Sequence, residues 1–297
     1  MRSITVVTTS HERGYAGHGR EMLYSFDAHW PGDIRLRFYH EGFEVDPPSA
    51  RVDLFDLNQA SPDLIRFKQR HQDHPKAHGM MRKRWKLRLG RFRLAVERPW
   101  GARRYRYRWD AVRFSHKMYA IFHAAATCDS DVLIWIDADT RFFAPVDRVT
   151  IESFVPSDCF VGCLKRTMMH TECGLVAYNL RHPATLDFLR DLARFYDEDG
   201  FLQEQEFHDS WLFDVARRRA EARGHRSHDI ADGIGAQAVH VLVNSRLGAF
   251  MDHMKGDRKD SGKSYADDLI VDRAEAYWQR SGERGADGRV DPGGDRG

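Results

Sequence analysis

Apolar runs separated by polar, glycine-containing loops along this chain predict an α/β protein. "SITVVTT" (3–9), "IRLRFYHEG" (34–42) and "RVDLFDL" (51–57) are short and rich in β-branched or aromatic residues, as strands are. Between the first two, "REMLYSFDAHW" (20–30) predicts a helix that stops at Pro31 and Gly32. The strand–helix–strand order predicts a doubly wound, mostly parallel sheet flanked by helices.

The second half of the chain continues this rhythm. "VRFSHKMYAIFHAAAT" (112–127) predicts an amphipathic helix, because Val112, Met118, Tyr119 and Phe122 recur at helical spacing. Two more helices are predicted over 183–200 and 209–224. "SDVLIWIDADT" (130–140) predicts the central strand, and three further runs predict strands: "CFVGCL" (159–164), "GLVAYNL" (174–180) and "AVHVLVN" (238–244).

Residues 60–112 interrupt the pattern and are interpreted as a basic, partly helical insertion in a single domain covering residues 1–268. Residues 269–297 then form a helix remnant and a tail. From Ser281 the tail has six glycines in 17 residues and no apolar anchor, which predicts disorder.

The net charge of +2 conceals a strong asymmetry. Residues 66–117 contain 18 lysines and arginines but three acidic residues, a local charge of +15, so the remainder carries −13. Such a block predicts an anionic partner: a phosphorylated substrate, an acidic lipid surface or a nucleic acid. Its tryptophans and tyrosines, interleaved with arginines, are typical of surfaces that bind phosphates and stack bases. A solvated arginine-rich face would have the same composition.

Targeting signals are absent from the sequence pattern. Apolar runs are too short for a membrane span, and the N-terminus reads as a first strand instead of a signal peptide. We therefore expect a cytoplasmic protein, with peripheral association at the inner face of a membrane left open. The four cysteines lack the C-x-x-C spacing of zinc sites, and we expect reduced packing residues.

The central strand ends in two carboxylates, Asp137 and Asp139. Ligands of doubly wound folds bind beyond the carboxyl ends of such strands. Two residues apart on an extended segment, the aspartates are expected to point the same way and to repel each other unless a cation joins them. Oxygen ligands favour Mg²⁺ or Mn²⁺.

A second motif, "HMKGDRK" (253–259), has the form H-x-x-G-x-x-K. Together with D-x-D after a central strand, it resembles the GT-A fold glycosyltransferases, most of all those of glycosyltransferase family 8 and their relatives. The family pattern usually continues with Pro-Trp, whereas Asp260 and Ser261 follow here. The resemblance extends over about residues 1–265 in element order, but its specific motifs occupy short windows.

The resemblance implies a metal-dependent hexosyltransferase that uses a nucleoside-diphosphate sugar, with UDP favoured and retention of configuration favoured. Asp137, Asp139 and His253 would hold the metal, and Asp137 would also face the donor. Gly256 would let the backbone approach the phosphates, and Lys259 would neutralise them. Imidazole favours Mn²⁺ over Mg²⁺.

Further candidates follow from the same resemblance. Asp209 would lie beside the donor sugar, although its place before a helix also suits a cap. Glu172 would be a catalytic base in an inverting variant, and Asn179 would line the same pocket. The remaining donor-binding candidates end the first strand, lie in the loop after it or lie on the helix before D-x-D: Thr8, Thr9, Ser10, Tyr15, Arg113 and Lys117.

Alternative functions share parts of this pattern. The pattern is compatible with four acceptors: a glycan, a lipid-linked sugar, a protein or, through the basic block, a nucleic acid. A non-catalytic basic module would keep the fold without the chemistry. A metal-dependent phosphohydrolase would use the aspartates but leaves H-x-x-G-x-x-K unexplained. The donor sugar, acceptor, stereochemistry and oligomeric state stay open.

Overall fold

The computed structural model describes residues 1–89, 92–97 and 100–279. Its strands are β1 Ile4–Ser10, β2 Arg35–His40, β3 Val52–Asp56, β4 Met80–Met81, β5 Arg84–Leu89, β6 Phe92–Glu97, β7 Arg104–Tyr105, β8 Val132–Ile136, β9 Thr140–Phe142, β10 Cys159–Leu164, β11 Glu172–Asn179, β12 Arg226–Asp229 and β13 Met251–His253. Its α-helices are α1 Glu12–Gly14, α2 Arg20–His29, α3 Leu57–Ala60, α4 Pro62–His71, α5 Ala111–Thr127, α6 Arg148–Glu152, α7 Pro183–Asp197, α8 Asp209–Ala222, α9 Val241–Asn244, α10 Arg258–Ser261 and α11 Ala276–Gln279.

A seven-stranded sheet in the described part of the chain has the order β12-β10-β11-β8-β1-β2-β3. Strand β11 runs antiparallel to both of its neighbours, and the other neighbouring pairs are parallel. The predicted α/β class, with a mostly parallel sheet flanked by helices and β8 at its centre, is confirmed. The reversal of β11 puts its first residues beside the carboxyl end of β8, where Leu175 pairs with Ile136.

Both faces of the sheet are covered, which explains why β8 is apolar throughout. Leu133 and Trp135 face one core, which α5, α7 and α8 cover. Ile134 and Ile136 face the other core, beneath α2, α6 and α9. All five β8 residues are buried, as expected of a strand between two helix layers.

The helical assignment of the insertion is wrong beyond α4. Strands β5 and β6 form an antiparallel pair, and β4 pairs with β7. The sequence "RWKLRL" alternates between polar and apolar residues, and "FRLAVE" places Phe92, Leu94 and Val96 at every second position, with the period of a strand. This local pattern outweighs the high content of helix-favouring lysine, arginine and leucine.

The last four residues of the run "AVHVLVN", Val241–Asn244, form the short helix α9 instead of the predicted strand. Its three apolar residues are all buried, and a short buried apolar run has no periodicity to distinguish a strand from a helix. Polar contacts fix the helical form: the Val241 N–H donates to Glu172 Oε2 at 3.0 Å, and Asn244 Nδ2 donates to the His240 carbonyl at 2.8 Å.

Residues beyond 268 pack on the rest of the fold up to the end of the described chain. Tyr277 stacks on Phe143 at a ring distance of 4.0 Å and donates to Asp252, and Trp278 joins the second core. The predicted domain limit at 268 stays a prediction, and the predicted disorder from Ser281 lies outside the described residues. Within those residues no helix combines the length and apolarity needed to cross a membrane. The four cysteines are unpaired.

Candidate functional site

One edge of the sheet gathers the polar residues that the sequence singled out. The carboxyl end of β8 lies beside the start of β11, and the Asp137 N–H donates to the Gly174 carbonyl at 2.9 Å. Strand β8 ends at Ile136, and a turn in which the Thr140 N–H donates to the Asp137 carbonyl follows. The two aspartates therefore converge through a turn and not through the strand periodicity that the sequence suggested.

A two-stranded sheet brings the distant histidine motif to this turn. Strand β13 pairs antiparallel with β9, so that His253 lies opposite Thr140. The Met254 N–H also donates to the Asp139 carbonyl at 2.9 Å. These backbone bonds hold a segment more than 100 residues away in sequence against the D-x-D turn.

Asp137, Asp139 and His253 form a compact group of possible metal ligands. His253 Nε2 lies 3.4 Å from Asp137 Oδ2 and 3.1 Å from Asp139 Oδ1, and the three ligand atoms are all within 4.8 Å of one another. His253 is 3% exposed and Asp139 is 8% exposed, so both side chains are almost entirely buried.

Glu172 holds the other face of the imidazole. Its Oε1 lies 3.3 Å from His253 Nδ1 and 2.6 Å from Lys255 Nζ, while its Oε2 accepts the Val241 N–H. Burial would raise the pKa of Glu172, but Lys255 and His253 outweigh it and hold that pKa well below its ordinary value. Glu172 is 2% exposed and has no open face toward an acceptor.

Electrostatic attraction dominates the protonation of this group. Burial alone would raise the pKa of Asp137, but Lys117 and His253 lower it to about 2. The pKa of Asp139 is likewise lowered, against burial, by His253 and Lys259. Burial would lower the pKa of His253, yet the surrounding carboxylates, Asp139 first, raise it well above its ordinary value. In the metal-free protein the imidazole is therefore protonated and bridges the carboxylates.

Two lysines complete the charge pattern. Lys259 Nζ lies 2.7 Å from Asp139 Oδ2. Lys117, on α5, lies between Asp137 Oδ1 at 3.1 Å and Asp209 Oδ2 at 2.8 Å, and over the Trp135 ring. Burial would lower the pKa of Lys117, but these carboxylates raise it. Lys117 thus links the D-x-D turn to the first residue of α8.

Asp209 begins α8 without capping it, since His208 occupies the N-cap position. Its side chain is nearly buried and is committed to Lys117. Gly256 has a φ of +61°, a conformation that glycine adopts without strain, and the turn that it forms precedes α10. Helix α10 packs against a π-helical turn, Tyr15–Gly19, that follows β1.

Of the predicted nucleotide contacts, three lie at the end of β1 and Tyr15 lies in the turn after it, and most are buried or engaged within the fold. Thr8 is fully buried, Thr9 Oγ1 donates to the Tyr39 carbonyl, and Ser10 Oγ donates to the His11 carbonyl. The Tyr15 ring packs on Phe38 and Phe43 at 5.6 and 5.4 Å, so it is half-buried instead of free to stack.

Two candidates lie away from the carboxylate group. Arg113 is exposed on α5, and its Nη1 donates to the Tyr105 hydroxyl at 3.3 Å. Asn179 lies at the opposite end of β11, opposite Val132, and its amide donates to the Ser157 and Cys159 carbonyls. The reversal of β11, which local sequence does not reveal, separates Asn179 from the site.

Other residues at the site escaped sequence reasoning. A Cβ atom on Gly174 would lie 2.4 Å from His253 Cε1, so this glycine makes room for the imidazole. Lys255 holds Glu172. His18, in the π-helical turn, is close enough to Asp139 and Lys259 to interact electrostatically with both, although burial is the main cause that lowers its pKa. A π-helical turn is a feature that occurs frequently at functional sites.

The basic insertion borders the site on the side of Asp209. Arg108 Nη1 lies 2.9 Å from Glu206 Oε1, the Arg108 carbonyl accepts the Phe207 N–H, and Trp109 Nε1 donates to the Gln205 carbonyl. Exposed aromatic rings, Tyr105 and Tyr107, follow the same segment. This side of the site is therefore both basic and aromatic.

No protein-family model and no curated protein sequence matches the chain. Among solved structures, the chain is similar to the glycosyltransferase GlyE of Streptococcus pneumoniae, with 10% identity and a TM-score of 0.41 over 77% of this chain and 46% of that one. It is also similar to mouse xyloside xylosyltransferase 1, with 11% identity and a TM-score of 0.42 over 76% and 84% of the two chains. The bifunctional glycosyltransferase WbbM is also similar, with 11% identity and a TM-score of 0.40 over 74% of this chain and 37% of that one. This chain thus spans less than half the length of GlyE and of WbbM.

Proposed function

We propose that this protein is a metal-dependent glycosyltransferase of the GT-A type that transfers a hexose from a nucleoside-diphosphate sugar. The observation that supports it most is the convergence of Asp137, Asp139 and His253 Nε2, with Lys259 on an Asp139 oxygen. The resemblance of the D-x-D and H-x-x-G-x-x-K motifs to family 8 favours a UDP-linked donor and retention of configuration.

The donor set fits Mn²⁺. Two carboxylates and one imidazole supply oxygen and nitrogen ligands from three side chains within 4.8 Å of one another. The carboxylate of Glu172 on Nδ1 fixes the orientation in which Nε2 faces the aspartates, an outer contact typical of metal-bound histidine. When bound, the metal would supply positive charge for the leaving diphosphate.

The charge of the site suits a diphosphate. Four carboxylates, of Asp137, Asp139, Glu172 and Asp209, face three lysines and the protonated His253 in the contacts described above. A divalent cation that displaces the His253 proton adds one net positive charge. The site is then complementary to an anion such as a diphosphate, which a purely structural ion pair would not require.

Lys259 is proposed to hold the diphosphate. In the metal-free protein its ammonium lies on Asp139, and a cation beside Asp139 would free it to neutralise the departing phosphate. Gly256, whose Cβ position would be open, leaves the backbone of this loop accessible to phosphate oxygens.

Asp209 is proposed as the carboxylate beside the donor sugar. It lies next to the Asp137 side of the site through Lys117, yet it is not one of the clustered metal ligands. A carboxylate next to the metal ligands can stabilise positive charge on the anomeric carbon of the sugar as the bond from that carbon to the diphosphate breaks. Glu172, enclosed by His253 and Lys255, is proposed to position the imidazole and not to act as a base.

The acceptor is proposed to bind along the basic and aromatic side of the site. Arg103 and Arg104 are exposed beside Tyr105, and the segment is anchored to residues 205–207 next to Asp209. Arginines and tyrosines together favour an anionic glycan. A nucleic-acid or membrane partner for residues 66–117 stays a prediction from charge alone.

The proposal is tested by calorimetric titration of UDP with and without Mn²⁺. We expect binding that requires Mn²⁺, is abolished in Asp139→Ala, and is retained in Asp187→Asn, a control that removes an exposed carboxylate on α7. A GDP titration separates a different nucleotide from no donor at all. Absence of binding for both nucleotides, or equal binding by Asp139→Ala, would leave the non-catalytic module as the better description.

A further inference from the structure

A second group of possible metal ligands lies outside the carboxylate group described above. It consists of His170, Glu206 and His208, whose ligand atoms are within 4.8 Å of one another. Glu206 Oε2 lies 2.7 Å from His208 Nε2 and 3.4 Å from His170 Nε2. In a tetrahedral zinc site with bonds of about 2.0–2.1 Å, neighbouring ligand atoms are separated by about 3.4 Å. We propose that these three side chains bind a zinc ion.

The surroundings orient the carboxylate. Arg108 Nη1 donates to Glu206 Oε1 at 2.9 Å, which leaves Oε2 to face both imidazoles. Arg108 is itself part of a backbone contact in which its carbonyl accepts the N–H groups of Phe207 and His208. An outer partner that fixes one carboxylate oxygen while the other faces the metal position is typical of metal sites.

The His170 ring is bordered by Asp214 and Trp211. Its Nδ1 lies 4.0 Å from Asp214 Oδ2, so Nε2 is the nitrogen that faces Glu206. Asp214 is fixed in turn by the Thr171 N–H and hydroxyl and by Arg217. The Trp211 ring packs against His170 at 5.1 Å, edge to face.

The site is closed on one side and open on the other. His208 is buried at 6% exposure, whereas 27% of the His170 side chain is accessible. Three protein ligands leave a fourth tetrahedral position for water or another oxygen ligand, the arrangement of reactive zinc sites and not of structural ones. Two imidazoles and one carboxylate favour zinc, whereas the two carboxylates at the D-x-D turn favour Mn²⁺ or Mg²⁺.

The zinc site and the proposed donor site are neighbours through α8. His208 immediately precedes Asp209, which pairs with Lys117. The zinc proposal rests on these side chains and not on glycosyl transfer, so the two proposals fail separately.

The test is equilibrium dialysis of chelator-stripped protein against Zn²⁺, with bound metal measured by mass spectrometry. Asp139→Ala serves as the background because it removes a ligand of the other group. We expect this variant to bind one Zn²⁺ per chain and Asp139→Ala/His170→Gln to bind at least about tenfold more weakly. The control His225→Gln, placed on the same background beyond the far end of α8, should leave zinc binding unchanged.

Cobalt gives an independent reading, because four-coordinate Co²⁺ absorbs visible light that hexa-aqua Co²⁺ absorbs weakly. We expect this absorption in Asp139→Ala and its loss on adding His170→Gln or, where that variant fails to fold, Glu206→Gln. Failure of Asp139→Ala to bind zinc, or zinc binding that persists after each of the two second substitutions, would overturn the proposal and leave His208 and Glu206 as a hydrogen-bonded pair. UDP and Mn²⁺ binding by His170→Gln alone should match that of the unmodified protein.

Discussion

A Cβ atom added to Gly174 would lie 2.5 Å from Nδ1 of His253, far inside van der Waals contact. The obstacle is the ring itself, held between Glu172 and the aspartates, so it cannot swing away as a long side chain would. We expect Gly174→Ala to displace the imidazole and to weaken Mn²⁺ binding about 10–100-fold, as loss of ligand orientation does elsewhere. Calorimetric titration with Mn²⁺ measures the effect.

The matched control for Gly174→Ala is Gly32→Ala. Gly32 follows α2, and an added Cβ there would have no neighbour within 4 Å. Its Mn²⁺ affinity should equal that of the unmodified protein. Equal affinity in Gly174→Ala would mean that His253 moves freely, which is incompatible with a preorganised ligand.

Metal binding is expected to release a proton from His253. The raised pKa keeps this imidazole protonated at neutral pH, whereas a metal requires the lone pair on Nε2. Because the proton competes with the metal, affinity should rise by about tenfold per pH unit and level off above the pKa of the folded protein. Calorimetry in two buffers of different ionisation enthalpy should report about one proton released per Mn²⁺ at pH 7.

Glu172→Gln is the informative companion to this measurement. Glu172 is one of the carboxylates that raise the pKa of His253, so its removal should lower that pKa and decrease the number of protons released. The pH dependence should move to lower pH. A flat affinity between pH 6 and 8 in the unmodified protein would contradict a protonated imidazole.

Lys117 is expected to be essential for stability as well as for binding. Its side chain is 11% exposed and bridges two carboxylates, so Lys117→Met leaves Asp137 and Asp209 without their common cation. Breaking such a buried pair lowers the free energy of unfolding by about 3–5 kcal/mol. Urea unfolding of the metal-free protein measures it. Arg113→Met, one turn earlier on the exposed face of α5, should change stability by less than about 0.5 kcal/mol; similar losses in both would show a general effect on the helix.

Local sequence patterns account for most of the sheet and for part of the site. The strand β8 can be recognised from its apolar run, because burial on both faces of the sheet excludes polar residues. The D-x-D motif follows this run directly. His253 could be associated with the aspartates only through the resemblance of its motif, since the pairing of β9 with β13 joins segments far apart in sequence. The structure does bring these three residues together.

The antiparallel direction of β11 could not be predicted from the sequence, and the positions of several predicted site residues depend on this direction. Strand direction is decided by how distant segments pack, so nothing in "ECGLVAYN" reveals that Glu172 lies at the carboxylate edge and Asn179 at the other. The same limit applies to His170, Glu206 and His208, which come from two loops that only the folded chain brings together. In the insertion, by contrast, period-two alternation was present and charge content obscured it.

Asp209 is expected to affect turnover more than donor binding. Its carboxylate is held by Lys117 and lies outside the group of clustered metal ligands. Asp209→Asn keeps the size of the side chain and removes the negative charge that would stabilise an electron-poor anomeric carbon. We therefore expect hydrolysis of the UDP-sugar donor, measured without an acceptor, to fall by about 10²–10³-fold, while UDP and Mn²⁺ affinity changes by less than about threefold. Asp187→Asn should leave both quantities unchanged. A loss of UDP binding as complete as in Asp139→Ala would assign Asp209 to the structural support of Lys117 instead, and unchanged hydrolysis would remove it from the reaction altogether.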